Sequence, residues 1–191
     1  MSESDRMPEV AVYCASAQHL DAVYRNDAAR LGRGLAELGF GLVYGGGDVG
    51  LMREVARAVH AHGGHVAGYI PEKLMAIEGR AYDISDELVV TATMQERKRS
   101  IFSRAHAFVA LAGGLGTIEE FMEVATLRKL DYHDKPIVLV NTAGFWDDFL
   151  RFLQHTVDTG FSPPLDRLFH VARDAGEALA ILDRAMRSAA D

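Results

Sequence analysis

Ala112-Gly113-Gly114-Leu115-Gly116-Thr117-Ile118-Glu119-Glu120 is the stretch on which the reading of this chain turns. Ala107 to Leu111, just before it, is a short apolar run of the kind that makes a buried strand. Just after it, Ile118, Phe121, Met122 and Ala125 recur at helical spacing. The segment therefore reads strand, glycine loop, helix. A helix start carries unpaired backbone N–H groups and the positive end of the helix dipole, so it favours an anion. Glycines let the backbone come close to that anion without a Cβ in the way. Two carboxylates follow at once, which points to chemistry on a phosphorylated compound.

Outward from this stretch, strands and helices alternate. Val10–Cys14, Gly41–Tyr44, His65–Ile70, Leu88–Ala92, Ala107–Leu111, Pro136–Val140 and Leu168–Ala172 read as strands. Between them run helical stripes: Tyr24, Ala28, Leu31, Leu35 and Leu38, stopped by Gly39; then Leu51, Met52, Val55 and Val59, ended by Gly63-Gly64. Met94–Ala105 is a further helix, Trp146, Phe149, Leu150 and Leu153 mark another, and Ala175, Leu179, Leu182 and Met186 the last. From Glu72 to Glu87 the pattern weakens to a loop with room for a short helix. This alternation predicts an α/β fold: a doubly wound parallel sheet, a Rossmann-like three-layer sandwich. Residues 10–188 are expected to form one nucleotide-binding domain behind a flexible N-terminus at residues 1–9. Ligands of such sheets bind at the carboxyl ends of the strands. Three loops belong there, Ala15–Gln18, Gly45–Gly50 and Ala112–Thr117, and they are expected to converge on one site.

Composition narrows the function. A net charge of −7 on 191 residues argues against nucleic acid and anionic membrane as partners. The one cysteine, Cys14, allows neither an intrachain disulfide nor a cysteine zinc site. No apolar run approaches a membrane span, the first residues look like neither a signal nor a transit peptide, and a cytoplasmic protein is expected. His60, His62 and His65 cluster near a helix end with no carboxylate beside them in sequence, so no metal site is expected.

The motifs carry competing readings. Gly45-x-Gly47-x-x-Gly50 matches a dinucleotide fingerprint, with Glu72 at a tolerable distance, but follows the second strand rather than the first. A phosphate-facing loop that includes Gly46 and Gly47 is the better reading, and NAD is disfavoured. Met94, Arg97 and Lys98 share one helix face, with Arg99 and Arg104 adding charge. Arg can hold a phosphate bidentately and Lys supplies a point charge. Thr117-x-x-Glu120 also fits a capping box, in which Thr caps the helix and Glu reaches back. On local sequence alone the cap is favoured over chemistry at Glu120.

Together, Met94-Gln95-Glu96-Arg97-Lys98 and Gly113-Gly114-Leu115-Gly116-Thr117-Ile118-Glu119-Glu120 resemble the Lonely Guy (LOG) family. These are cytokinin riboside 5′-monophosphate phosphoribohydrolases, often labelled lysine decarboxylases. The resemblance runs from Val10 to about Phe161 and includes Tyr44-Gly45-Gly46-Gly47, Gly50-Leu51-Met52, Gly68-Tyr69-Ile70-Pro71 and Lys135-Pro136. It implies Arg97 and Glu120 as the catalytic pair, and Met94, Lys98, Gly113, Gly114, Gly116 and Thr117 as nucleotide-binding positions. The implied reaction is hydrolysis of the N-glycosidic bond of an N6-substituted adenosine 5′-monophosphate, with AMP as the alternative substrate. Neither metal nor organic cofactor is implied; a homodimer is. The chain departs from the family pattern at Ala112, where proline is the hallmark, and at Ala15, Ala17, Arg53 and Leu127-Arg128. A rival reading, a carrier of nucleotide or molybdenum cofactor on a related fold, would need the loops and the basic helix but no positioned Glu120. No residue marks a lysine that would hold pyridoxal phosphate.

Overall fold

A computed structural model describes residues 7–78 and 85–188. The expected flexibility of the N-terminus falls largely on residues 1–6, outside the described residues, as does the part at residues 79–84 of the loop expected between Glu72 and Glu87. Seven strands form one all-parallel sheet in the order β4-β3-β2-β1-β5-β6-β7. They are β1 (Glu9–Tyr13), β2 (Gly41–Tyr44), β3 (Val66–Pro71), β4 (Glu87–Thr91), β5 (Ala107–Ala110), β6 (Ile137–Val140) and β7 (His170–Ala172). The helices are α1 (Ala22–Glu37), α2 (Gly50–Ala61), α3 (Glu72–Glu78), α4 (Met94–Arg104), α5 (Leu115–Lys129), α6 (Asp147–Asp158) and α7 (Ala175–Ser188). The short helix for which the weak pattern left room is α3.

The inner strands are short and, apart from Glu9 at the start of β1, buried, as strands covered on both faces must be. Successive residues go to opposite faces. Val10, Val12, Val109, Val138 and Val140 join a core with α1, α2 and α7 residues such as Leu31, Val55 and Leu182. Ala11, Tyr13, Phe108, Ile137 and Leu139 join a second core with Ile101 of α4, Phe121 and Val124 of α5, and Leu153 of α6. These are the three layers expected. On the first face α1 and α2 cross closely at Gly32, where a Cβ would collide with the Val55 carbonyl.

The strand order sets the site. The chain moves outward from β1 to β4, then returns to place β5 on the other side of β1. The carboxyl ends of β1 and β5 therefore flank the crevice where the winding reverses, the position at which such sheets bind ligands.

Candidate active site

The three loops converge as expected. Ala15 N–H donates to the Ala112 carbonyl at 3.1 Å, tying the loop after β1 to the loop after β5. Leu51 N–H donates to the Ala15 carbonyl at 2.9 Å. Gly50, at φ +55°, lies so close to this loop that a Cβ would sit 2.5 Å from the Ala15 oxygen and 2.6 Å from that of Ala17. Asp48 is fixed from outside: its carboxylate pairs with Arg53 at 3.1 Å and Arg57 at 3.5 Å, and Arg53 also donates to its carbonyl. Arg53, one of the departures from the family pattern, is thus a brace for the second glycine loop.

Helix α5 does not start where a capping box would put it. Its N-cap is Gly114, with no side-chain cap, and Leu115 opens the helix. Thr117 lies inside the first turn, 3 % exposed, with its side chain packed on the Cα of Gly113. Glu120 is therefore not part of a cap. Its carboxylate lies 3.3 Å from Nη1 of Arg97, and both side chains are close to nine-tenths buried. The amino end of α5, free of any capping side chain, presents its first N–H groups at the crevice.

Helix α4 does have a side-chain cap. Thr93 Oγ1 accepts from Glu96 N–H at 3.1 Å, and the Glu96 carboxylate accepts from Ala92 N–H at 2.9 Å. That start aims Arg97 inward, where it is 8 % exposed. Its Nε donates to the Tyr69 carbonyl at 3.0 Å, and its Nη1 lies 3.3 Å from the Met94 sulfur. Its Nη2 rests on Gly45 so closely that a Cβ there would displace it. Four directions thus hold the guanidinium: strand β3, Met94, Glu120 and the second glycine loop.

Lys98, one turn on, pairs with Glu119 and, at 3.3 Å, with Glu123. Its hydrogen bond to Glu119 raises its pKa, so it stays an ammonium ion. A cavity of about 230 Å³ opens beside it, lined by Gln95, Lys98, Arg99, Phe102, Glu123 and Leu127. Gly46 is at φ +74° against Ile70 and Leu88, and Gly47 is buried. Met94 is 37 % exposed beside the pair and Leu115 87 % exposed at the tip of the glycine loop.

Two expectations fail here. Arg104 is not near this site: it runs to the amino ends of the strands and pairs with Glu9 and Glu87, each at 2.6 Å. His65 does have carboxylate partners, Glu9 and Glu87, both at 3.4 Å. Long-range contacts of this kind leave no local signal. No group of three or more potential metal ligands exists among the described residues. No helix of the described residues is long and apolar enough to cross a membrane.

The arrangement sets an uncapped helix start beside a carboxylate that a buried arginine holds in place. Comparisons with known proteins place the chain in a family. Residues 52–182 match a family model described as "Possible lysine decarboxylase". The chain is 45 % identical over 156 residues to cytokinin riboside 5′-monophosphate phosphoribohydrolase LOG of Oryza sativa subsp. japonica, covering 82 % of this chain and 64 % of that protein. It is 40 % identical over 179 residues to the enzyme of that name, LOG2, of Arabidopsis thaliana, covering 93 % of this chain and 84 % of the relative. In fold it is similar to the molybdenum cofactor carrier protein of Chlamydomonas reinhardtii, with a TM-score of 0.72 at 24 % identity over 95 % of this chain and 99 % of that one. With its relatives matched over most of its length and the Met-x-x-Arg-Lys and Gly-Thr-x-Glu-Glu motifs brought into contact, the chain belongs to the Lonely Guy family of phosphoribohydrolases.

Proposed function

We propose that this protein hydrolyses the N-glycosidic bond of adenosine 5′-monophosphates, N6-substituted ones or AMP itself, giving free base and ribose 5-phosphate. The observation that carries this is the Arg97–Glu120 pair, nearly buried and set between one and two turns above the glycine-opened start of α5. From Gly114 to Glu120 the helix rises about 9 Å, and a helical side chain leans back toward the amino end. A phosphate on Gly113, Gly114, Gly116 and Thr117 would therefore bring its ribose to Glu120. As the bond from C1′ to the base breaks, positive charge grows on the sugar, and a carboxylate there stabilises it. Glu120 also suits the task of taking a proton from the attacking water. The water oxygen ends on C1′, and the proton it releases balances the one the departing base takes up. Arg97 stays protonated throughout and serves to hold Glu120 and the nucleotide. A pure carrier has no use for a carboxylate fixed in this way. The Lys98 ammonium, held by two carboxylates, is unsuited to the imine chemistry of a decarboxylase.

We read residues 10–188 as one nucleotide-binding domain, acting as a cytoplasmic homodimer. Met94 and Leu115, apolar and exposed at the rim, are in place to be covered by a second copy. Light scattering at micromolar concentration should show at least a dimer. The decisive assay is base release from AMP and isopentenyladenosine monophosphate, with the matching nucleosides as controls. Monophosphates should be cleaved far better; equal cleavage of adenosine and AMP would sink the assignment. Glu120→Gln should fold and bind nucleotide yet lose about 10²–10⁴ in turnover, the usual worth of a positioned acid or base. Near wild-type turnover in that variant would move the chemistry elsewhere.

A further inference from the structure

Helix α4 carries Arg97, yet apolar burial does little to hold it. Of its 11 residues only Arg97 and Ile101 are buried. A helix on a sheet face normally buries an apolar stripe along its length. The seat of α4 therefore depends on polar ties. Thr93 caps its start, and Lys135 donates to the Phe102 carbonyl at 2.8 Å near its end. Arg104, its last residue, makes more ties than either. Each N–H of the Arg104 guanidinium has an acceptor. Nε and Nη2 donate to the two Glu9 carboxylate oxygens at 2.7 and 2.6 Å. Nη1 and Nη2 donate to those of Glu87 at 2.6 and 3.1 Å, and Nη1 also to the Tyr69 hydroxyl at 3.2 Å. His65 lies 3.4 Å from both carboxylates. Exposed ion pairs usually contribute little; a bidentate arginine inside a network is the exception. Glu9 opens β1 and Glu87 opens β4, so one guanidinium ties the end of α4 to two strands that are not neighbours in the sheet.

Tyr69 joins this cluster to the candidate active site. Its hydroxyl accepts from Arg104, and its carbonyl accepts from Arg97 Nε at 3.0 Å. Arg97 and Arg104 stand seven residues apart, two turns and about 10 Å along one face of α4. They grip one residue of β3 at its two ends. The ring between those ends is buried in the second core with Ile101. A slide of α4 along β3 would break both bonds together.

We propose that Arg104 is a positioning residue that acts through Arg97: by anchoring the end of α4 to Tyr69, Glu9 and Glu87, it sets where the Arg97 guanidinium meets Glu120. This rests on the reading of Arg97 and Glu120 as the catalytic pair.

Arg104→Lys keeps the charge and loses the fork that holds three partners at once. With saturating AMP or isopentenyladenosine monophosphate kcat should fall about tenfold, within what a shift of about 1 Å in a catalytic group can cost. The Arg97 Nε proton, held by the Tyr69 carbonyl, should exchange with solvent about tenfold faster in arginine-labelled NMR spectra. Its signal is assigned by its loss in Arg97→Lys. Tyr69→Phe removes the hydroxyl alone and keeps the carbonyl and the carboxylate pairs. It should move both readouts the same way by about threefold, the scale of one hydrogen bond. In an Arg97→Lys background Arg104→Lys should lower Tm as before yet lower kcat no further, because both changes act on one group. A full additional loss of kcat there would overturn the proposal. So would wild-type kcat in both single variants, or a lower kcat with the Arg97 proton unmoved. Should Arg104→Lys melt well below wild type, Tyr69→Phe decides. If wild type releases no base, or Arg97→Lys keeps full turnover, the reading of the site fails and the role of Arg104 falls with it. If Arg97→Lys is nearly inactive while Arg104→Lys and Tyr69→Phe match wild type, Arg104 alone is refuted.

Discussion

The two glycine loops at the crevice look alike in sequence and differ in what their glycines are for. In Gly45–Gly50 the need is internal. Gly45 makes room for the Arg97 guanidinium, Gly46 and Gly50 have positive φ, and Gly50 also lies against the carbonyls of Ala15 and Ala17. In Gly113–Gly116 only Gly113 answers to a neighbour, Thr117. Gly114 and Gly116 have ordinary φ, and a Cβ on either would meet nothing within 4 Å. Nothing in the surrounding fold demands glycine there; in the function proposed above, the demand is that of the bound phosphate. The Gly45–Gly50 loop is scaffold, and the Gly113–Gly116 loop leaves open space in which a ligand could approach closely. A glycine-rich string identifies both, and only the space around each glycine tells them apart.

Substitutions can break this comparison. Gly45→Ala should have the largest effect: Arg97 must leave its place, and kcat should fall about 10²-fold, the scale of a misplaced catalytic group. Activity close to wild type would show that the contact with Gly45 is dispensable. Gly50→Ala should act on stability instead, costing about 1–3 kcal/mol for a strained φ, read as a lower Tm and a shifted denaturation midpoint. A variant as stable as wild type would mean that the loop relaxes freely. Gly116→Ala should do the opposite. It lies in the first turn of α5, where alanine gains about 0.5–1 kcal/mol over glycine. Tm should rise while KM for nucleotide also rises, because the added methyl stands where the phosphate approaches. A more stable variant with unchanged KM would remove Gly116 from the binding surface.

The smallest effect lies at the far end of the sheet and serves as a control. His133 Nε2 lies 2.9 Å from the Val124 carbonyl, and Nδ1 accepts from Lys135 N–H at 3.1 Å, a pattern that requires the neutral ring. Burial is the main cause that lowers its pKa, with the Lys135 and Arg128 charges adding to it. The unfolded chain, with a His pKa of about 6.5, then binds more protons than the folded one. The stabilisation is complete above that value and is lost as pH falls through the lower, native pKa. Tm should drop on acidification below pH of about 6.5, and His133→Gln should flatten that part of the slope. An equal slope in both proteins would assign it to other groups.

Most of the fold was legible because short apolar runs such as Ala107–Leu111 or Ile137–Val140 can hardly be anything but buried strands. Gly39, Gly46 and Gly50 punctuated the chain because each has a positive φ. The site was legible through two motifs whose residues, Arg97 and Glu120, meet across two helices. The local rule failed at Thr117-x-x-Glu120, since the helix begins two residues earlier, at Leu115, and Thr117 is drawn inward onto Gly113. His65 and Arg104 were misjudged because their partners Glu9 and Glu87 are distant in sequence.

The uncapped start of α5 has a kinetic consequence. The molecule carries a net charge of −7, yet the compound proposed for its crevice is a phosphate anion. At long range a net charge of this sign would repel such an anion, and within the crevice the α5 amides, with Arg97 and Lys98, would reverse the sign. Salt screens the first interaction over a Debye length of about 10 Å at 0.1 M and barely touches the second. Association should therefore quicken with ionic strength, the reverse of electrostatically steered encounters. The same imbalance disfavours di- and triphosphates, which carry more charge through the repulsive approach for no further contact at the helix end. If the proposed function holds, cleavage should therefore fall from mono- to di- to triphosphate least at high ionic strength and most at low, and an order independent of salt would separate net charge from substrate choice.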